Sequence, residues 1–341
     1  MSEFFLEYGL FLAQTVTLVA AVLVVIGFAV ASARKGREEG GLTVRSLNER
    51  YRELTDVIRR EVLPKKALKA EMKARKAEDK ARSEGDDDRR RVFVIDFHGD
   101  IKASGVAGLR REVSAILGLA TPRDEVVVRL DNHGGLVHEH GLAASQLIRL
   151  REREIPLTVI VDKVAASGGY MMACVANRLV AAPFSIIGSI GVLAQIPNFH
   201  RLLKEHGVEV EQLKAGRYKR TVTMFGENTD ADRAKVTEEL EEVHTLFRQL
   251  IGEYRPELDL ERLATGEHWL GRRALEVGLV DELGTSDDYL LQAIESADLY
   301  RIKWEGRKTL QARLSAAVEG GTAAALRAAW QSLWDQRHGA R

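Results

Sequence analysis

Hydrophobic positions along this chain fall into distinct regimes. From Leu10 to Ala31 they run with no charged residue between them. Such a run approaches the ~20 apolar residues that cross a hydrocarbon core as a helix. Gly27 within it is tolerated in membrane helices. A cleaved signal peptide is the rival, and Ala31-Ser32-Ala33 supplies its small-x-small pattern. Against it, Glu3 and Glu7 lead the run with no Lys or Arg. The run also exceeds the roughly 7–15 residues of a signal core. The pattern predicts an N-terminal transmembrane anchor over 1–33.

The second regime, 34–90, is charged. Lys65 to Arg82 is dominated by Lys, Arg, Ala and Glu, and Glu84 to Asp88 adds a Gly-Asp cluster. That composition favours a solvated helix over a packed core, so a helical connector is expected. It serves as a spacer, or it touches anionic lipid or a partner helix. No sustained heptad supports a coiled coil.

From Arg91 short apolar runs alternate with helical spacing. Val92–Phe97, Glu125–Leu130, Leu157–Val161, Arg178–Ala182 and Ser189–Val192 read as strands. Val106–Leu119, His138–Arg151, Ser167–Ala176 and the long Asp230–Gly252 read as helices, with shorter ones at Asp259–Ala264 and Arg272–Val277. Gly278–Gly284 reads as a short strand ended by a turn. Nearly continuous apolar strands between helices imply an α/β domain, here over 91–300, whose sheet is covered on both faces. The 301–341 tail carries Leu314, Val318, Leu326, Trp330, Leu333 and Trp334, an amphipathic pattern that suits packing on the core, on a neighbouring subunit or on a membrane surface.

Composition narrows the function. The chain of 341 residues has 50 acidic and 50 basic side chains, so no basic excess points to nucleic acid. The single cysteine, Cys174, forms no internal disulfide, and no Cys/His cluster has zinc spacing. In its apolar setting Cys174 reads as a core residue.

Three glycine-bearing turns follow strands, where open α/β sheets place their sites. They are Asp131–Gly135, Ala165–Gly169 and Ile187–Gly191. Ser167 lies between small residues at a strand-to-helix junction, which suits a nucleophile whose oxyanion is met by the following N–H groups. Taken alone, Ser167 reads as a helix N-cap ahead of a nucleophile. Asp131 and His133 also admit a Ser-His-Asp triad with Ser167.

Val161-Asp162-Lys163-Val164-Ala165-Ala166-Ser167-Gly168-Gly169-Tyr170, then Gly188-Ser189-Ile190-Gly191, then Gly216-Arg217-Tyr218-Lys219, resembles the signal peptide peptidase (SppA) family, in its SohB-like branch. The resemblance continues through Phe225–Thr229, Thr265–Trp269 and Gly278–Glu282, and covers about Arg91 to Leu291. It implies a ClpP/crotonase-like fold behind an N-terminal transmembrane helix. It also implies a serine endopeptidase with a Ser-Lys dyad. Ser167 aligns with the family's nucleophile, Lys219 with its general base, and Ser189 with a serine that hydrogen-bonds that lysine. The oxyanion hole aligns with the N–H of Gly168 and that of a first-turn glycine, Gly135 ahead of Gly134. The family usually has Ser-Pro before those glycines; Asn132-His133 stands here instead, which removes a rigid φ and adds a titratable ring.

A lysine takes a proton from serine only when neutral, and an unperturbed lysine, with a pKa of about 10.4, is charged near pH 7. The dyad therefore predicts a buried Lys219 near Ser167 without a carboxylate partner. No metal or cofactor is expected, because the dyad and backbone N–H groups suffice for acyl transfer.

The expected partners are peptide or protein substrates such as residual signal peptides, membrane lipid, and further copies of the chain. The resemblance implies a ring-like homo-oligomer, an assembly in which Ser and Lys can come from neighbouring subunits, and a bacterial inner-membrane location. Arg34, Lys35 and Arg37 after the span place the C-terminal part in the cytoplasm by charge, whereas the resemblance places it outside. Competing functions are a crotonase-like acyl-thioester enzyme and a catalytically idle membrane scaffold.

Overall fold

Residues 9, 11–12, 14–19, 40–84 and 89–306 are described in the computed structural model, with 78–84 as backbone only. Most of the expected span Leu10–Ala31, and all of the expected helix Ala312–Trp334, lie outside these residues. Among the described residues no helix is long and apolar enough to cross a membrane. The chain divides into two units, one of 1–41 with 305–341 and one of Leu42–Trp304. In the first, residues 14–19 are helical.

In chain order the elements are β1 (Gly41–Ser46), α1 (Leu47–Val62), α2 (Lys65–Glu84), β2 (Arg90–Gly99), α3 (Val106–Leu117), β3 (Glu125–Asn132) and α4 (Val137–Arg151). There follow β4 (Leu157–Val161), β5 (Val164–Ala166), α5 (Gly168–Ala173), β6 (Arg178–Ala181), β7 (Ile186–Gly188), α6 (His200–Glu205) and α7 (Asp230–Tyr254). The chain then forms α8 (Leu260–Leu263), β8 (His268–Leu270), α9 (Gly271–Glu276), β9 (Glu282–Leu283), α10 (Ser286–Ser296) and β10 (Ala297–Glu305).

The sheet runs β1-β10-β2-β3-β4-β6-β9. Every pair from β10 to β9 along that path is parallel. Period-two alternation sends the two sides of each strand to different cores. Phe93, Ile95 and Phe97 of β2, Val126, Val128 and Leu130 of β3, and Leu157, Val159 and Val161 of β4 join the larger cluster, with α3 and α4. Val92, Val94, Val127 and Ile160 face the other way, against Leu290 and Ala293 of α10. Both faces are thus buried, which is why these strands read as unbroken apolar runs. Each such side chain contributes about 1.5–3 kcal/mol on leaving water.

A short spur leaves the carboxyl end of this sheet and carries the site. β5 meets β3 at the pair Asn132–Ala165, and pairs in parallel with β7. β7 in turn pairs antiparallel with β8. The long α7 begins at a reciprocal cap between Thr229 and Asp232.

The α/β class and the sheet buried on both faces agree with the sequence reading, and several elements differ from it. The strand expected at Ser189–Val192 ends instead at Gly188, because Ser189 adopts φ +51°, outside the strand region. The helix after Ser167 stops at Ala173 rather than Ala176. Gly278–Gly284 supplies only the two-residue β9. The connector is helical over α1 and α2, yet its first residues form β1 at the edge of the sheet.

Candidate active site

β5 delivers Ser167 to the start of α5 in an uncommon conformation, φ +53° and ψ −118°. Non-glycine residues with positive φ are strained and gather at functional sites. Four are found among the described residues, and two of them are Ser167 and Ser189. The Ser167 N–H donates to the Gly188 carbonyl at 2.8 Å. Its hydroxyl makes no capping bond to α5, so the simple N-cap reading has no hydrogen bond to support it. Ser167 is half-buried, and its Oγ has no hydrogen-bond partner among the described residues.

Ser189 is brought beside it. The register of β5 on β7 pairs Ala166 with Gly188, so Ser167 and Ser189 are the next residue on each strand. Parallel neighbours lie about 4.8 Å apart. Ser189 is half-buried, and its N–H donates to the Glu267 carbonyl at 2.6 Å, tying the turn to the segment that opens β8.

The first glycine turn meets the nucleophile from β3. Gly134 has φ +86°, and a Cβ there would lie 2.8 Å from the Gly168 nitrogen and 2.8 Å from the Ser167 Cβ. Only glycine permits this approach. The Gly134 N–H is occupied, because it donates to Asn132 Oδ1 at 2.9 Å. The N–H groups of Gly135 and Gly168 have no hydrogen-bond partner among the described residues. The two first-turn glycines, left open by sequence, therefore differ in what their N–H groups can do.

Below the site, α5 is anchored from the far side. The buried Tyr170 hydroxyl donates to the Leu279 carbonyl at 2.9 Å, and burial raises its pKa. Arg255 donates from Nε to the Cys174 carbonyl at 3.2 Å and pairs with Asp281 at 2.5 Å. Asp281 Oδ2 accepts the Leu179 N–H at 2.7 Å. The resemblance motif Gly278–Glu282 thus serves as the anchor of the nucleophile helix.

Lys219 is the residue the single chain does not bring in. It is exposed, its N–H donates to the Gly216 carbonyl at 3.2 Å, and no hydrogen bond joins it to Ser167. The expected burial of Lys219 is therefore corrected for the isolated chain. Residues 192–228 hold one short helix, α6, and no strand, and most of them are exposed among the described residues. Leu193, Leu213, Tyr218 and Phe225 are exposed along it, Leu213 at 93 %. His133 is exposed as well. Asp131 lies 3.7 Å from His98 and 3.8 Å from Lys163, and no contact joins it to His133, so the Ser-His-Asp alternative gains no geometry.

One group at the site was not singled out by sequence. His140 of α4 is fully buried, with Nε2 3.2 Å from Asn132 Oδ1 and Nδ1 3.0 Å from the Leu136 carbonyl. The available signal was its place on the inward stripe His140, Ala143, Ala144, Leu147 and Leu150, all buried.

Comparison with known proteins agrees with the motifs. Residues 3–147 match the model of "Peptidase family S49 N-terminal", and residues 149–300 match that of "Peptidase family S49". "Probable protease SohB" of Haemophilus influenzae is 46% identical over 323 residues, covering 91% of this chain and 92% of that protein. "Probable protease SohB" of Buchnera aphidicola subsp. Acyrthosiphon pisum is 46% identical over 314 residues, covering 92% and 94%. The chain belongs to peptidase family S49, in its SohB branch, and is a protease by that membership.

Proposed function

We propose that this S49 protease is a membrane-anchored serine endopeptidase of ClpP/crotonase-like fold, with Ser167 as nucleophile and Lys219 as general base. The observation that carries the reading is Ser167 itself. Its backbone is held at φ +53°, and its hydroxyl and the N–H groups of Gly168 and Gly135 have no hydrogen-bond partner among the described residues. In the reaction Ser167 Oγ attacks the peptide carbonyl and passes its proton to neutral Lys219. The oxyanion is met by Gly168 and Gly135, and Lys219 returns the proton to the leaving amine. Water then adds to the acyl-enzyme, again with Lys219 as base, and frees Ser167. Ser189, next to Ser167, orients the lysine amine.

A lysine in contact with water keeps its proton near pH 7, so the base has to be desolvated by something beyond the described residues. The exposed apolar side chains of 192–228 support a second copy as the cover, since large uncovered apolar patches mark interfaces. In this reading the ring closes each site with Lys219 from a neighbour. The uncharged run Leu10–Ala31 supports an anchor in the bacterial inner membrane and residual signal peptides as substrates.

The test uses the full chain in detergent on an apolar fluorogenic peptide. Ser167→Ala and Lys219→Ala each lose at least ~10³-fold in kcat, as nucleophile and base variants do. Co-expression of the two variants in one assembly restores part of the activity, because some sites then combine an intact Ser167 with a neighbour's intact Lys219. Full activity in Lys219→Ala contradicts the dyad, and a co-expressed pair as inactive as its parts contradicts the shared site.

A further inference from the structure

Asn132 ends β3 and is fully buried. Its amide orientation is set by Gly134: Oδ1 accepts the Gly134 N–H at 2.9 Å, and a flipped amide would set Nδ2 against that donor. Nδ2 points at Met172 Sδ, 3.3 Å away. The same Oδ1 lies 3.2 Å from Nε2 of His140, which must be the donor because the amide oxygen only accepts. The Leu136 carbonyl, 3.0 Å from Nδ1, is an acceptor too. The forms that carry a proton on Nε2, neutral or doubly protonated, all hold Asn132.

The His140 ring also touches the second turn. A Cβ on Gly168 would lie 2.4 Å from His140 Cγ and 2.6 Å from Cδ2, so the Gly168 backbone rests directly on the imidazole. One buried ring therefore contacts both turns that bear the free N–H groups. It reaches the first through Asn132 and Gly134, and the second through its Cγ and Cδ2 atoms beside Gly168.

We infer that His140 is a positioning residue of the oxyanion hole, which aims the Gly135 and Gly168 N–H groups at one point above Ser167. By fixing Asn132 it keeps the Gly134 N–H occupied, and the peptide that follows presents the Gly135 N–H. By backing Gly168 it sets the height of the second donor. The inference rests on the proposed Ser167 reading and adds to it a residue that touches no substrate. Asn132 and His140 together do the work that a rigid proline ahead of the glycines would otherwise do.

The experiment compares His140→Phe, His140→Gln and His140→Asn in the full-length, detergent-solubilised protein. Phe keeps the ring volume and removes the donor; Gln reaches the Nε2 position; Asn reaches only the Nδ1 position. The readouts are kcat and KM on the apolar peptide, the Ki of a peptide aldehyde, whose tetrahedral adduct needs the oxyanion hole, and the Ki of the product peptide, which does not. Loss of one oxyanion donor costs about 10²–10³ in kcat, so a misaimed pair is expected to cost about 10–100-fold. His140→Phe and His140→Asn lose that factor in kcat and in aldehyde affinity, with KM and product affinity within about 3-fold. His140→Gln recovers most of it.

Equal kcat in the folded Gln and Asn variants overturns the inference, and this contrast stands even where the Phe variant does not fold. Equal losses of aldehyde and product affinity also overturn it, since they signal general disruption. Ser167→Ala is run alongside. If it retains full activity, the Ser167 reading itself fails; if it is inactive while His140→Asn matches the parent, only the His140 inference fails.

Discussion

The Ser167 N–H donates to the Gly188 carbonyl at 2.8 Å, and this bond joins the ends of β5 and β7 one step beyond their last registered pair. Two serines leave that junction with φ near +50°, Ser167 toward α5 and Ser189 toward the exposed 192–228 segment. The junction is possible because Gly188 itself has φ +102°, beneath the Trp269 ring.

Gly188→Ala places a Cβ 2.8 Å from Trp269 Cε3 and 2.9 Å from Cζ3, on a backbone that L side chains rarely adopt. Strain of this kind costs about 1–3 kcal/mol. The variant is expected to unfold at lower denaturant concentration by about that amount and to lose most peptidase activity. Chemical denaturation followed by circular dichroism, with a parallel rate measurement, checks both. Unchanged activity would separate the turn from the chemistry.

Asp124 gives a pH-dependent prediction away from the site. Arg91 grips it with Nε at 2.9 Å and Nη2 at 2.6 Å, and the Thr121 N–H donates at 2.8 Å. Burial pushes the carboxyl up, but the Arg91 and Thr121 hydrogen bonds outweigh it and hold it at about 2, below the ordinary 3.8. A folded-state pKa below the unfolded one stabilises fully above the unfolded value and fades as pH falls from about 4 to about 2. Asp124→Asn should cost about 1–2 kcal/mol at pH 7, allowing for the solvent that reaches Arg91, and almost nothing near pH 2. Urea unfolding at the two pH values measures the difference.

Cys174 is fully buried at the end of α5, and its Sγ donates to the Met171 carbonyl at 3.3 Å. Burial pushes its thiol up to about 12, against a smaller pull from Arg255. Only the thiolate alkylates readily. Iodoacetamide at pH 8 is expected to leave the folded protein unlabelled and fully active, and to label it once in urea. Mass spectrometry of the two samples decides the matter.

Much of the central sheet was legible because β2, β3 and β4 are buried on both faces and read as continuous apolar runs. β10 was not, since Leu299 and Ile302 turn inward while Arg301 and Lys303 interrupt them, and the strand follows α10 with no turn residue between. β1 was hidden in the charged connector because no residue of it is buried. Ser189 looked like the start of a strand by composition; its positive φ is set by tertiary pairing to Glu267. At the site, the ordered motifs marked Ser167, Ser189 and the glycines, which the structure brings together. The exposure of Lys219 was beyond local reading, because the sequence motif marks the lysine and not what packs on residues 192–228. His140 was passed over because one histidine on an apolar helix face looks the same whether it fills a core or props a turn.

The most direct measurement of the central claim is covalent labelling of the assembled, full-length protein with a fluorophosphonate, followed by peptide mapping. The account predicts a single adduct on Ser167 Oγ, formed at a rate that falls at least ~10²-fold in Lys219→Ala, where the base is missing. An adduct on another residue, or labelling of Ser167 at an unchanged rate without Lys219, would contradict it.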